Sequence, residues 1–257
     1  MRTLVSVATV CGFFVALITT AAVTASEQSS MKPEDTEVWS PVPKRVKPGA
    51  APAHPPEDAI VLFDGASAAQ WESVKGGPVK WTVANGALTV APGTGDIRTK
   101  EKFGDVQLHL EWRTPLLPPE KKDQDRGNSG VFFHEQYEVQ ILDTLDNVTY
   151  SNGQAGSIYK QHIPLVNPAR PAGEWQSYDI VFIAPRFEAD GSLRSPARVT
   201  VFFNGVLIHH DVTLAGATAY IGKPFYTAHG DGAISLQDHG HLVSFRNIWV
   251  RRLNSGE

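Results

Sequence analysis

From Ile60 onward the apolar residues recur at every second position. The clearest case is Val106 to Arg113, where Val106, Leu108, Leu110 and Trp112 alternate with Gln107, His109, Glu111 and Arg113. That period predicts a strand with one face on a core and the other toward water. Asn85-Gly86 separates Trp81-Thr82-Val83 from Ala87-Leu88-Thr89-Val90, and Asn204-Gly205 separates Val199 to Phe203 from Val206-Leu207-Ile208. Asn-Gly between alternating runs is the strongest short-range hairpin signal. Ile60 to Phe63, ending at Asp64-Gly65, reads as another strand. So do Val131 to His134, Tyr137 to Leu142, Ser177 to Ala184, Ala233 to Gln237 and His241 to Leu253. Past the apolar N-terminus no segment keeps a helical period over ten residues. The pattern predicts an all-β fold, a sandwich of antiparallel strands. Roughly 200 residues in a dozen or more strands exceed a small barrel, so two large curved sheets packed face to face are expected.

Ahead of this zone the pattern changes twice. Arg2 precedes an apolar run from Leu4 to Val23, and Val23-Thr24-Ala25 offers small residues for cleavage. Residues 1–25 read as a secretory signal peptide, with an uncleaved anchor helix as the alternative. A lipoprotein signal at Cys11 is disfavoured by the bulky Val10. Cleavage leaves an exported chain, periplasmic or extracellular, with no membrane span. Cys11 is the single cysteine, so the mature chain has no disulfide, no thiolate catalysis and no cysteine metal site. Residues 26–57 form a proline-rich linker or a strap on the domain, because Pro33, Pro41, Pro43, Pro48, Pro52, Pro55 and Pro56 exclude helix interiors and central strands. Val38-Trp39 gives this stretch an apolar point of docking. Residues 58–257 make the globular domain. The net charge of −4 gives no reason to expect a nucleic-acid partner.

Candidate chemistry gathers at three places. In Tyr137-Glu138-Val139-Gln140-Ile141-Leu142-Asp143, Glu138 and Gln140 share a face about 7 Å apart. A β-bulge near Ile141-Leu142 would bring Asp143 to the same open face. The spacing is similar to the Glu-x-Asp-x-x-Glu strand of laminarinase-type glycosidases, with Gln140 and Asp143 in place of the last two acids. The turn Gln237-Asp238-His239-Gly240 puts His239 at a strand end, where an imidazole suits proton transfer, although turn chemistry alone also accounts for Asp-His-Gly. Arg126-Gly127-Asn128-Ser129-Gly130 leads tightly into the next strand but lacks the lysine and helix of a phosphate loop. His134, at the end of that strand, could face the same groove as Glu138.

Taken in order, several stretches resemble the 3-keto-disaccharide hydrolase domain family. They are Ala59-Ile60-Val61-Leu62-Phe63-Asp64-Gly65 with Trp71, Gly127 to Phe132, Tyr137 to Asp143, Gly173-Glu174-Trp175-Gln176, Phe203-Asn204-Gly205-Val206, Leu236 to Gly240, and Phe245-Arg246-Asn247-Ile248. The resemblance spans roughly residues 58 to 253. One departure is Gly156-Ser157-Ile158-Tyr159-Lys160, where lysine stands in place of the family's last glycine. If that loop lines the groove, Lys160 adds a charge there.

The resemblance implies a concanavalin A-like sandwich (jelly roll) that acts on carbohydrate already oxidised to a ketone at sugar carbon 3 by a separate sugar oxidoreductase. For that chemistry Glu138 is expected as the base at carbon 2 and His239 as the group assisting departure of the aglycone. Asp143 or Asp238 would orient His239, Gln140 and Arg246 would position the keto sugar, and His134, Lys160 and Gln237 would complete the substrate contacts. No cofactor is certain. A divalent cation on Glu138, Asp143 and His239 is chemically acceptable, but no dense ligand motif demands one. Two other readings share the fold: a non-catalytic, lectin-like carbohydrate-binding domain, and a conventional glycoside hydrolase using Glu138 and Asp143.

Overall fold

Alternation and turn chemistry build the domain in the computed structural model, which describes residues 31–42, 44–45 and 54–253. The N-terminal stretch 1–25 lies outside the described residues, as does part of the linker. Asn85-Gly86 and Asn204-Gly205 both adopt positive φ, 51° and 74° in the first pair and 51° and 78° in the second. They close the hairpins Thr82–Ala84/Ala87–Thr89 and Arg198–Phe203/Val206–Thr213. A third hairpin joins Ser129–Phe133 to Tyr137–Ile141. Its turn residues His134 and Glu135 also have positive φ, 54° and 58°, and the Gln136 N–H donates to the Phe133 carbonyl at 3.0 Å. No glycine relieves the left-handed backbone there.

Two large antiparallel sheets result, beside two two-stranded ladders among the described residues. The eight-stranded sheet runs in the order Val206–Thr213, Arg198–Phe203, Gln176–Ile183, Val106–Arg113, Ser244–Arg252, Ala87–Thr89, Thr82–Ala84, with Ile60–Phe63 also paired to Ser244–Arg252. The five-stranded sheet runs Trp71–Ser73, Ile97–Thr99, Ile234–Leu236, Ser129–Phe133, Tyr137–Ile141. Their inner faces form one core. Leu108, Leu110, Tyr178 and Phe182 come from one side, and Ile97, Val131, Phe133, Val139, Ile141 and Leu236 from the other. Phe133 stacks on Phe182 across the layers at 4.5 Å. The helical content among the described residues is three short 3-10 turns, Pro33–Thr36, Asp123–Asp125 and Ser151–Gly153. No helix among the described residues is long and apolar enough to cross a membrane. The predicted all-β sandwich is therefore the observed fold.

One expectation fails in an informative way. The polar face of Val106–Arg113 does not meet water along its middle, for His109 is 0% and Glu111 3% exposed. Trp249 stacks on the His109 ring at 5.2 Å, and Asp179 accepts from His109 Nδ1 at 2.6 Å. Glu111 takes Arg246 Nε at 2.6 Å and Asn247 Nδ2 at 2.9 Å. Burial favours neutral groups, but these partners outweigh it. His109 is pushed up to about 9, and Glu111 is held at about 2. The middle of the face is a largely covered ion-pair network in which His109 and Glu111 both have partners.

The proline-rich segment lies on the domain. Asn152 Nδ2 donates to the Thr36 carbonyl at 3.2 Å, and its Oδ1 accepts from the Val38 N–H at 3.1 Å. Trp39 meets Tyr150 edge-on at 6.2 Å.

Candidate functional site

Along Tyr137–Ile141 the core takes Tyr137, Val139 and Ile141, so Glu138 and Gln140 face outward from the five-stranded sheet. The ladder sets their neighbours. Glu138 lies opposite Phe132, Phe132 opposite Ser235, Ser235 opposite Arg98, and Arg98 opposite Glu72. One step along, Gln140 lies opposite Gly130, whose carbonyl accepts from the Gln237 N–H at 3.1 Å. This outer face carries Glu72, Arg98, Phe132, Glu138, Gln140 and Gln237.

Gly130 makes room for the acid. A side chain there would begin 2.6 Å from Glu138 Oε1. Among the described residues the Glu138 carboxyl accepts no hydrogen bond, while its backbone N–H donates to Thr218 Oγ1 at 3.0 Å. The residue is 5% exposed. Burial first, and the charge of Asp96 second, push its carboxyl up to about 8. A carboxyl without donors in a largely buried setting is raised toward neutrality, as acid–base catalysis requires. Gln237 Oε1 is also buried without a partner. Asp96 is itself raised by burial, against a backbone N–H from Asp238 and the nearby charge of His239. The Asp238 N–H donates to Asp96 Oδ1 at 2.8 Å, which holds the turn that carries His239 at Asp96.

Gln140 belongs to a tight amide chain. Its Nε2 donates to Gln124 Oε1 at 3.0 Å, and Asn128 Nδ2 reaches the same oxygen at 3.3 Å. Gln124 Nε2 in turn donates to Thr149 Oγ1 at 2.8 Å. The Asn128 N–H donates to His241 Nδ1 at 3.2 Å, which leaves the proton on Nε2, 3.0 Å from Asp125 Oδ1. The His239 and His241 rings lie parallel at 6.3 Å. The face expected to be open is thus covered at Gln140, where Gln124 and Asn128 fold their amides over the edge of the sheet, and Glu138 beside it is almost fully buried.

Several sequence-predicted residues sit elsewhere. The ladder between Ser129–Phe133 and Tyr137–Ile141 is regular and carries no bulge. Ile141 and Leu142 both enter the core just past it. Asp143 is bound by Arg126 through both Nε, at 2.9 Å, and Nη2, so it neither joins Glu138 nor orients His239. The Asp238 carboxylate is taken by the backbone N–H groups of Gly95 and Gly240, at 2.9 and 3.0 Å, and it too does not bond His239. Arg246 is on the far side of the sandwich. Its neighbour Phe245 fills the core from the eight-stranded sheet, which turns Arg246 outward onto Glu111 and 4.2 Å over Trp175. Lys160 is buried, and its ammonium donates to the Pro33 and Tyr220 carbonyls at 2.7 and 2.9 Å. It clamps the strap instead of lining an open groove. His134 is 6% exposed and packs against Phe182 at the end of the sandwich, away from Glu138. Among the described residues no group of three His, Cys, Asp or Glu side chains is placed to hold a metal ion; Asp143, committed to Arg126, does not complete the set with Glu138 and His239.

Sequence reasoning missed Asp96, Arg98, Gln124 and His241. Arg98 donates to Glu72 at 2.9 Å and to Glu135 at 3.3 Å, so it spans the face. The strand that carries it has three residues, too few for a period to register.

The sequence pattern of the 3-keto-alpha-glucoside-1,2-lyase-like domain matches residues 58–251. A crystal structure from Parabacteroides distasonis, named as a candidate glycosyl hydrolase, is 49% identical, superposes with a TM-score of 0.76, and the match covers 86% of this chain and 96% of that one. A second protein of that organism, named likewise, is 22% identical with a TM-score of 0.58, covering 77% of this chain and 95% of the other. The second likeness concerns the fold alone. No curated protein matches the chain.

Proposed function

Because the chain belongs to the 3-keto-alpha-glucoside-1,2-lyase-like domain family, we propose that this carbohydrate-active sandwich cleaves glycosides that carry a ketone at carbon 3. The ketone acidifies the hydrogen on carbon 2. Glu138, in its ionised form, takes that proton. The electron pair moves into an enolate on the carbon 3 oxygen, and as the enolate collapses the bond from carbon 1 to the aglycone oxygen breaks. Water then adds at carbon 1 and a proton returns to carbon 2. His239, exposed beside Asp96, protonates the departing oxygen. Arg98, in the same row of the sheet as Glu138, is the cationic donor for the enolate oxygen, and Gln140 and Gln237 hold the ring.

The observation that carries this reading is the Glu138 carboxyl, buried, without donors, and held up to about 8. A base of that strength suits a carbon acid better than an ordinary carboxylate does. The engagement of Asp143 with Arg126 argues against a conventional two-carboxylate hydrolysis using Glu138 and Asp143. A separate sugar oxidoreductase would have to supply the ketone, and export remains part of the proposal.

The test is turnover of a 3-keto-glycoside beside its unoxidised parent. Wild type should cleave the first only, and Glu138→Gln should lose at least about a hundredfold in rate. Near-normal turnover in that variant would overturn the assignment.

A further inference from the structure

In the row Glu138, Phe132, Ser235, Arg98, Glu72 the reaction leaves one large apolar side chain without a task. Phe133, next along the strand, turns into the core and stacks on Phe182. Alternation therefore points Phe132 out of the five-stranded sheet, and it is not part of the core. Its ring is partly exposed among polar neighbours. A single exposed apolar residue is ordinary in itself. What marks this one is its place.

Gly130 shows where the ring lies. It precedes Phe132 by two residues on the same face, about 7 Å along the strand. A ring standing upright from the sheet would not reach that far. Yet a side chain begun at Gly130 would meet Phe132 Cε2 at 2.7 Å and Glu138 Oε1 at 2.6 Å. The ring thus leans back along its strand, low over the sheet, and its edge meets the carboxyl above the glycine. On the other flank only the small side chain of Ser235 separates the ring from Arg98. Gln140 and Gln237 stand on either side of Gly130.

An apolar surface edged by a few polar groups is the usual build of a small-ligand site, and the C–H bonds of a sugar ring rest well on an aromatic one. In a gluco-configured ring the hydrogens on carbons 2 and 4 lie on the same face. A ketone at carbon 3 leaves both in place, while the opposite face has lost the hydrogen of carbon 3. Laid with the first face on Phe132, the sugar brings its carbon 2 hydrogen to the edge of the ring, where the Glu138 carboxyl is.

We propose that Phe132 is the stacking platform for the keto sugar, taking the face that carries the hydrogens of carbons 2 and 4 and so delivering the first of them to Glu138. The assignment rests on the 3-keto reaction proposed above and extends it to carbon 4. A galacto-configured ring would set its axial 4-hydroxyl against the phenyl ring and lose the contact.

The experiment titrates the full chain with methyl α-glucoside, which lacks the ketone, and follows the sugar's own proton signals by NMR. A platform of this kind shifts hydrogens 2 and 4 upfield more than hydrogen 3. That pattern is expected in wild type and in Phe132→Tyr, and it should vanish in Phe132→Leu at an unchanged melting temperature. With 3-keto substrates, Phe132→Leu should raise KM roughly three- to tenfold with kcat little changed. The preference for gluco over galacto should shrink by a similar factor. Wild-type spectra without the pattern, a pattern kept in Phe132→Leu, or an unchanged KM in that variant would overturn the platform. Binding of the glucoside needs no turnover, so the spectra decide the platform even where the 3-keto reaction itself fails.

Discussion

Glu111 and Glu138 occupy equivalent places on opposite sides of one sandwich. Each lies on the outer face of its sheet, and each is almost fully buried, at 3% and 5% exposure. Glu111 is surrounded by Arg246, Asn247 and His109, and its carboxyl is held at about 2 despite its burial. Glu138 has no donor at its carboxyl, has Asp96 for a neighbour, and is pushed up to about 8. Burial is therefore not what separates a structural carboxylate from a reactive one. The difference lies in whether the sheet supplies partners, and at Glu138 it supplies a glycine instead.

The contrast breaks most visibly in rate. If Glu138 is the base, kcat/KM on a 3-keto-glycoside should rise with pH and level off near 8, falling about tenfold per unit below that, or about a thousandfold by pH 5. A rate that instead declines above pH 8 would make Glu138 an acid and reverse its role. Next in size is removal of a partner on the other face. Arg246→Met removes one of the partners of Glu111, leaving Asn247 and His109 in place, and should cost about 2 kcal/mol in a urea unfolding curve, with turnover of the folded protein unchanged. A large fall in turnover without loss of stability would return Arg246 to the substrate.

The two acids should also act in opposite directions on stability. Glu111 is depressed below its ordinary value of 4.5, so its contribution is present above pH 4.5 and drains as pH falls toward 2. Glu138 is raised from 4.5, so the native state keeps a proton that the unfolded chain has lost, and stability falls as pH rises from 4.5 to about 8. Glu138→Gln should therefore match wild type near pH 4 and melt higher at pH 9, by about 1–2 kcal/mol. Glu111→Gln should be the less stable form at pH 7. The smallest effect belongs to the turn beside Glu138. Glu135→Gly relieves a positive φ and should stabilise by less than about 1 kcal/mol, offset by loss of its contact with Arg98.

The sheets were legible wherever side chains alternated or Asn-Gly marked a turn, as at 106–113, 85–86 and 204–205. Trp71–Ser73 and Ile97–Thr99 were not, because three residues carry too little pattern. The His134-Glu135 turn has the same backbone as the Asn-Gly turns and none of their composition, so His134 read as a strand end. In the candidate site, alternation placed Glu138 and Gln140 on one face. Arg246 and Asp143 were assigned to that face on the needs of the expected chemistry and an assumed bulge. Local pattern cannot tell which of two sheets a strand joins, nor that Arg126 will claim Asp143. Asp96 and Arg98 come into play through a ladder between strands distant in sequence, which no window along the chain contains.

Lys160 fastens two segments at once. Its one ammonium binds a carbonyl at Pro33 and another at Tyr220, and its own N–H donates to Asn152, next to the strap's other anchor. Acetylating that amine, or replacing it with methionine, would release both flanks together. Protease cuts near 33–38 and near 220 should then appear at the same rate, so that a single covalent modification governs how firmly the chain leading into the domain is held beside the strand that carries Glu138.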